Sequence, residues 1–502
     1  MKKLISITSI LTFFLLFFTS CDNTFILKGR VQEDKTKTTV SLKNVSNLFI
    51  VNPTDNTKEY NENWISISSS SRQAYDEDDF SDENSNILLN ASKNMVQHTL
   101  PYTFDSTVLV SNASREAAAT VKKTVGYKTG DTHVFSEDDI MKERKGVMRY
   151  EGQYCYVWTL LDEDEESAMT DDEIKTLAKK FDELYVKETE LCGPKFDGVT
   201  PYYNIIPANE KISLLLFDIY EDKDEGNLLG YFSQNNYLTD NQSGINMIEL
   251  LCLDSYFAKH EDYASGFYDT MVHEFNHMLN FANKTLKYGL EMETWYTEML
   301  SMLTEDCFYE ELQPDYNNSI YYRLELFIAG GYAIGFKNWT DINSDGIEIY
   351  CNYSNAYAFG AYLARNYGGA ELIHEIATNA YTNEKSIVKA IKTVCNVDVT
   401  FEDLLTEFCY VLVNVQGQNS GKPTLYKSSS KKLGDYTFNL PIINLDNLNE
   451  QQEVFISPVT KTPSETFKAV KYMDGYGFHY YKYENPENLS VRMKNFLVYD
   501  YE

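Results

Sequence analysis

At 502 residues the chain is longer than one compact domain, and two or three are expected. Acidic residues outnumber basic ones 75 to 44, for a net charge of −31, which argues against nucleic acid as a partner because phosphate binding needs basic stripes. Apolar residues make up 43%, enough for a large core, and tyrosine is abundant at 39.

The N-terminus reads MKKLISITSILTFFLLFFTSCDN: Lys2 and Lys3, an apolar run from Leu4 to Phe18, then Thr19 and Ser20 before Cys21. This is the pattern of a secretory signal over residues 1–20, and the run is short for a membrane span. The cysteine after small residues resembles a bacterial lipoprotein lipobox, although Phe18 stands where leucine is usual. The resemblance implies acylation of Cys21 and an exported, membrane-anchored protein facing the periplasm or the cell exterior. The other seven cysteines, at 155, 192, 252, 307, 351, 395 and 409, are scattered, which excludes a Cys-rich zinc knuckle and leaves free thiols as the expectation.

Residues 21–122 are expected to form a β-rich module. Thr38–Asn52 and Asn63–Ile67 have strand character, Ser68–Asn86 is an acidic solvated loop, and extended character resumes over Ser106–Asp131. Residues 123–415 read differently. Tyr154–Leu161, Lys211–Tyr220 and Gly244–Ser255 are apolar strand candidates. Thr170–Gly193 is an amphipathic helix with acids at its start and glycine at its end. Helices are also expected at Thr270–Lys284, Glu291–Leu312, Ala356–Tyr367, Glu371–Asn379, Lys385–Val394 and Thr400–Val413. Beyond residue 415 alternation returns, so 416–502 is expected to be a second β-rich module.

The segment TMVHEFNHMLNFANK places His273 and His277 four residues apart, with Glu274 beside the first. On a helix the two imidazoles share a face, as they must to share a metal ion, and Glu274 sits about 100° round from His273. Hydrolytic zinc takes three protein ligands and leaves one position open. Glu298, on the second helix, is the expected third ligand. Glu291 and Glu293 lie nearer the turn, and Glu305, seven positions on, is a rival ligand or a supporting acid. His374-Glu375 repeats half the pattern, but Thr378 stands where the second histidine would be. Glu274 would act as general base. For the oxyanion, Tyr353 and Tyr357 offer hydroxyls ahead of a helix.

HEFNHMLN followed by ETWYTEMLSMLTED, with FDELY and GYFSQNN upstream, resembles the hyicolysin-type secreted metallopeptidases, which are gluzincins. The likeness covers about 123–415. It implies an α+β, zincin-like domain of mixed sheet and helices, one zinc ion, and endopeptidase action on proteins or peptides. It also implies His273, His277 and Glu298 as ligands and Glu274 as base, and it puts Tyr353 ahead of the other tyrosines. Met302 replaces the acid that gluzincins carry four residues after the ligand glutamate, so Glu305 or Asp306 is expected to orient a histidine instead. Thr297 stands where asparagine is common, at the substrate-facing edge.

DINSDGIEIYCN begins like a calcium loop, with Asp341, Asn343 and Asp345 as Ca2+ ligands, but Asn352 replaces the bidentate glutamate at position 12 and an ordinary acidic turn is the preferred reading. An adhesin or binding lipoprotein on a catalytically silent peptidase scaffold would share the anchor and the modules. Such a scaffold has no reason to keep the base together with all three ligands. Zinc acquisition predicts a His-rich tract, which the chain lacks.

Overall fold

A computed structural model describes residues 39–53, 64–69, 125–137, 142–203, 205–223, 228–237, 246–259, 261–314, 319–328, 334–339, 348–414, 427–443, 467–468, 475–494 and 497–501. In chain order, β1 (Thr39–Val51) and β2 (Trp64–Ser69) come first, followed by β3 (Thr132–Glu137), β4 (Lys142–Glu151) and β5 (Cys155–Leu160). Helix α1 (Asp171–Cys192) leads to β6 (Ile212–Phe217), the short β7 (Gly230–Phe232) and β8 (Leu250–Asp254). The helices that follow are α2 (Ser255–Lys259), α3 (Glu261–Asn280), α4 (Thr294–Leu312), α5 (Ile320–Ile328), α6 (Glu348–Asn366), α7 (Ala370–Thr378), α8 (Asn383–Cys395) and α9 (Phe401–Asn414). The chain closes with β9 (Ser429–Leu433), β10 (Tyr436–Leu440), β11 (Phe467–Lys468), β12 (Phe478–Lys494) and β13 (Leu497–Tyr501).

Strands β3 to β8 make one mixed sheet in the order β3-β4-β5-β6-β8-β7. Its centre, β5-β6-β8, is parallel, and every residue of those strands is buried, which is why they read as unbroken apolar runs. Side chains alternate between two cores. Val157, Leu214, Leu216, Leu251 and Leu253 face the helices, while Trp158, Leu215, Phe217, Leu250 and Cys252 face the other side with Phe135 and Met148.

Helix α1 is the crossover from β5 to β6. It begins in a capping box in which the Glu173 N–H donates to Thr170 Oγ1 and the Thr170 N–H donates to Glu173. It stops at Gly193, whose φ of 93° suits glycine, and where a Cβ would lie 2.8 Å from the Asn283 side chain. That contact ties the end of α1 to the π-helical turn Phe281–Leu286, which extends α3.

Helices α3 and α4 pack antiparallel, with α6 against α4 and α5 against α6. The α4–α6 contact has a charged clamp at the C-terminal end of α6. Arg365 grips Asp306 with two N–H donors at 2.6 and 3.0 Å, and the hydroxyls of Tyr321 and Tyr357 donate to the same carboxylate at 3.1 Å each. Both charged side chains are fully buried. Gly360 lets the two backbones approach, since a Cβ there would meet the Met299 side chain at 2.6 Å.

The strands read at the two ends of the sequence pair with each other. β1 lies between β12 and β13, and β2 between β12 and β11, in one antiparallel five-stranded sheet. This sheet meets the helical part where the Phe336 and Lys337 N–H groups donate to Gly475 O.

The architecture is α+β, as expected, with three local differences. β3 and β4 escape notice in the sequence because the inward positions of β4 include Arg144 and Gly146, which hides the period of two. Helix α5 falls in a stretch for which no element was expected. Helix α6 begins at Glu348, eight residues before the expected Ala356, so Tyr353 and Tyr357 lie inside the helix and not ahead of it. Asn352, Ser354 and Asn355 disfavour a helix interior, but here the two Asn amides donate to Gly335 O at 3.1 and 2.8 Å and tertiary contact overrides local preference. Cys21 and the calcium candidates Asp341, Asn343 and Asp345 lie outside the described residues.

Removing one partner of the α4–α6 clamp should leave a buried uncompensated charge. Asp306→Ala is expected to cost about 3–5 kcal/mol of stability in urea unfolding, and Arg365→Met with Asp306→Leu in the same chain about 1 kcal/mol or less.

Candidate metal centre

Helix α3 carries His273, Glu274 and His277 in its second half, where Met271, Val272, Phe275, Met278 and Leu279 bury the surrounding positions. The spacing of four places both rings on one face, 4.7 Å apart between centroids and nearly perpendicular at 78°. Helix α4 crosses in front of them. Its Glu298 lies with Oε2 3.0 Å from His273 Nε2 and Oε1 3.3 Å from His277 Nε2. All three side chains are fully buried.

The same face of α4 also supports the outer ring nitrogens. Glu305, two turns beyond Glu298, lies 2.6 Å from His273 Nδ1. Arg323 of α5 donates to Glu305 at 3.2 Å. Ser301, one turn beyond Glu298, lies 3.2 Å from His277 Nδ1. One imidazole is therefore backed by a charged pair and the other by a neutral hydroxyl.

Electrostatics follow from burial and these contacts. Burial alone would lower the pKa of His273, but hydrogen bonds and charge from Glu298 and Glu305 raise it to about 10. Burial lowers that of His277, only partly offset by Glu298. Burial works against ionising Glu298, yet the two histidines bring it down to about 2. Glu305 is also held below its usual value, with Arg323 and His273 overcoming burial. Glu274 goes the other way: burial, with the charges of Glu298 and Glu305, pushes it well above the ordinary carboxylate range despite His273.

Glu274 accepts the Phe232 N–H of β7 on Oε2 at 2.8 Å, while its buried Oε1 has no hydrogen-bond partner. Ligand atoms of His273, Glu274 and His277 lie within 4.8 Å of one another. Two imidazole nitrogens and an ionised carboxylate converging in a dry site, with an orphaned carboxylate oxygen alongside, fit a divalent metal of zinc's preferences.

The remaining sequence candidates sit as follows. Tyr353 has its ring 4.9 Å from Trp339, edge-on, with the Arg323 guanidinium 5.8 Å above its face. Tyr357 is engaged with Asp306, which is taken up by Arg365 and two tyrosines, and among the described residues it is Glu305 of the two acids that touches a histidine. Glu293 is turned to Lys337 and to the Trp295 N–H. His374 faces the carbonyls of Glu190 and Leu191, apart from the centre. Cys155, Cys192, Cys307 and Cys409 are free thiols as expected, but Cys395 is disulfide-bonded.

Sequence reasoning missed Arg323, Ser301, Asp269 and Glu188. Asp269 lies one turn before His273, and Glu188 approaches from α1; burial pushes both well above the carboxylate range. Asp269 carried a signal, since it precedes His273 by four residues. Nothing in the sequence links Glu188 or Arg323 to the histidines.

The peptidase M30 family matches residues 141–473 of the chain. The chain is 25% identical over 297 residues to the neutral metalloprotease ShpI of Staphylococcus hyicus, over 57% of this chain and 63% of that protein. It thus spans less than two thirds of that relative's length. Among solved structures, a two-domain M1 zinc metallopeptidase with bound L-arginine is 12% identical, with a TM-score of 0.26 over 54% of this chain and 48% of that one.

A ligand nitrogen must lose its proton before a metal can take its place. With His273 protonated up to about pH 10 in the metal-free protein and Glu298 ionised throughout, zinc uptake between pH 7 and 9 should release one proton from this pair. Apparent zinc affinity is therefore expected to rise about tenfold per pH unit over that range, measured by chelator competition. A flat response would contradict a protonated His273.

Proposed function

The chain belongs to the peptidase M30 family, and from that premise we propose that it is a zinc metalloendopeptidase acting on proteins or peptides, with its chemistry centred on Glu274. The observation that carries this reading is the pairing of a complete ligand set with a buried carboxylate that has one oxygen held and the other without a partner.

His273, His277 and Glu298 would hold the metal. Zinc, when bound, acidifies water and polarises the carbonyl under attack. Glu274 is the general base: the Phe232 N–H fixes Oε2, which leaves Oε1 to take a proton from the attacking water and pass it to the leaving amine. Its raised proton affinity in the dry site suits a group that must accept a proton and return it. Glu305 and Arg323 orient His273. Tyr353, beside Arg323, is the tyrosine proposed to meet the oxyanion, because Tyr357 is committed to Asp306.

Endopeptidase action is supported by the position of β7, the edge strand whose Phe232 touches Glu274. An extended peptide aligned with that edge would carry its backbone past the base without needing a free terminus. We place the enzyme outside the cytoplasm, tethered through Cys21, on the strength of Lys2, Lys3 and the apolar run before it. The catalytic unit is proposed to span 123–415, with the terminal strands as accessory structure.

Glu274→Gln should keep zinc near one per chain by mass spectrometry and lower cleavage of unfolded casein by about 10²–10⁴-fold. Glu298→Ala should lose both zinc and cleavage. Full cleavage by Glu274→Gln would remove the glutamate from its assigned role.

A further inference from the structure

Behind His277 runs a chain of neutral groups spanning α1, α3 and α4, all of them fully buried. The Thr304 hydroxyl donates to Leu300 O at 2.9 Å. A hydroxyl has one proton, so Thr304 Oγ1 can only accept from its other neighbours. It accepts from Asn276 Nδ2 at 2.9 Å, and the same amide nitrogen donates to Cys192 Sγ at 3.1 Å. That orientation turns Asn276 Oδ1 the other way, where it accepts from Asn280 Nδ2 at 2.6 Å and from Ser301 Oγ at 3.0 Å. Ser301 has then spent its proton, and only lone pairs remain to face His277 Nδ1 at 3.2 Å.

We infer that Asn276, Ser301 and Thr304 are positioning residues that fix the proton of His277 on Nδ1, leaving Nε2 as the nitrogen directed at the metal. The order of donation runs from a backbone carbonyl, whose acceptor role cannot reverse, through Thr304 and Asn276 to Ser301. On its Nδ1 side His277 meets a neutral hydroxyl, whereas His273 meets the Glu305 carboxylate there. This assigns Asn276, an interior residue of the His-Glu-x-x-His segment, a duty toward His277 through Ser301. The inference rests on the reading of His277 as a ligand.

The test uses the full chain with 15N-labelled histidine and zinc alone as the probe. In the zinc-free protein, nitrogen chemical shifts should show the His277 proton on Nδ1. This reading needs no metal, so it stands or falls separately from the proposed activity. Ser301→Ala should weaken zinc binding by about 10–100-fold in chelator competition. Thr304→Val, which retains the shape but removes the hydroxyl, should weaken it by about tenfold, although Thr304 touches neither histidine. Thr304→Ser keeps donor and acceptor and should bind zinc as the parent does, which separates loss of the relay from loss of fold. A proton on Nε2 alone, parental affinity in both Ser301→Ala and Thr304→Val, or equal losses in Thr304→Val and Thr304→Ser would overturn the inference. Zinc binding by none of the proteins, with the proton still on Nδ1, would overturn the metal-centre reading and leave the relay in place.

Discussion

The Glu298 carboxylate, held in a dry interior within 3.3 Å of two imidazole nitrogens, is the contact to which the surrounding structure is fitted. An ionised group without water is tolerable only when opposite charge or hydrogen-bond donors surround it. Here the two rings come from one helix and the carboxylate from another, so the interaction depends on the angle and spacing of α3 against α4. That geometry is secured on both sides. Lys284, in the π-helical turn after α3, is fully buried and donates to Asn379 O and Tyr381 O, which binds the end of the histidine helix to α7 and the start of α8. On the far side, Asp306 and Arg365 lock α4 to α6.

The centre gathers many acids in a small volume. Glu274, Glu298 and Glu305 lie around the histidines, with Asp269 and Glu188 close behind. Arg323 reaches this group directly, and with His273 it holds Glu305 below its usual value, while burial pushes Asp269 and Glu188 well above theirs. The site therefore manages its charge by burial and by the positive charge of Arg323 and His273.

Met302 stands where the gluzincin resemblance would put an acid, and helix α4 shows what its neighbours do instead. The histidines are met from neighbouring positions on the same face: Ser301, three residues after Glu298, meets His277, and Glu305, seven after, meets His273. Met302 is left to fill the core, fully buried. A deviation that looks like a loss in the motif is a redistribution along the helix.

What the sequence determined is local. The spacing of His273 and His277 follows from the helical period, and the apolar residues among them state which face is buried. The β5, β6 and β8 runs were legible because strands buried on both faces must be apolar throughout. Glu298 could be singled out among neighbouring acids because a helix, a turn and an antiparallel return bring it to the right height. Beyond that, tertiary structure decided. That Glu305 and not Asp306 reaches a histidine depends on which way adjacent residues of α4 point once α3 and α6 have packed on opposite sides of it. That Arg323 joins the group depends on how α5, the nine-residue helix after α4, folds back against it. That β1 pairs with β12 and β13 depends on strands separated by more than four hundred residues. Helical periodicity is a property of the backbone and is readable one segment at a time. Contacts between segments are set by how whole faces fit together, and no single segment carries that information.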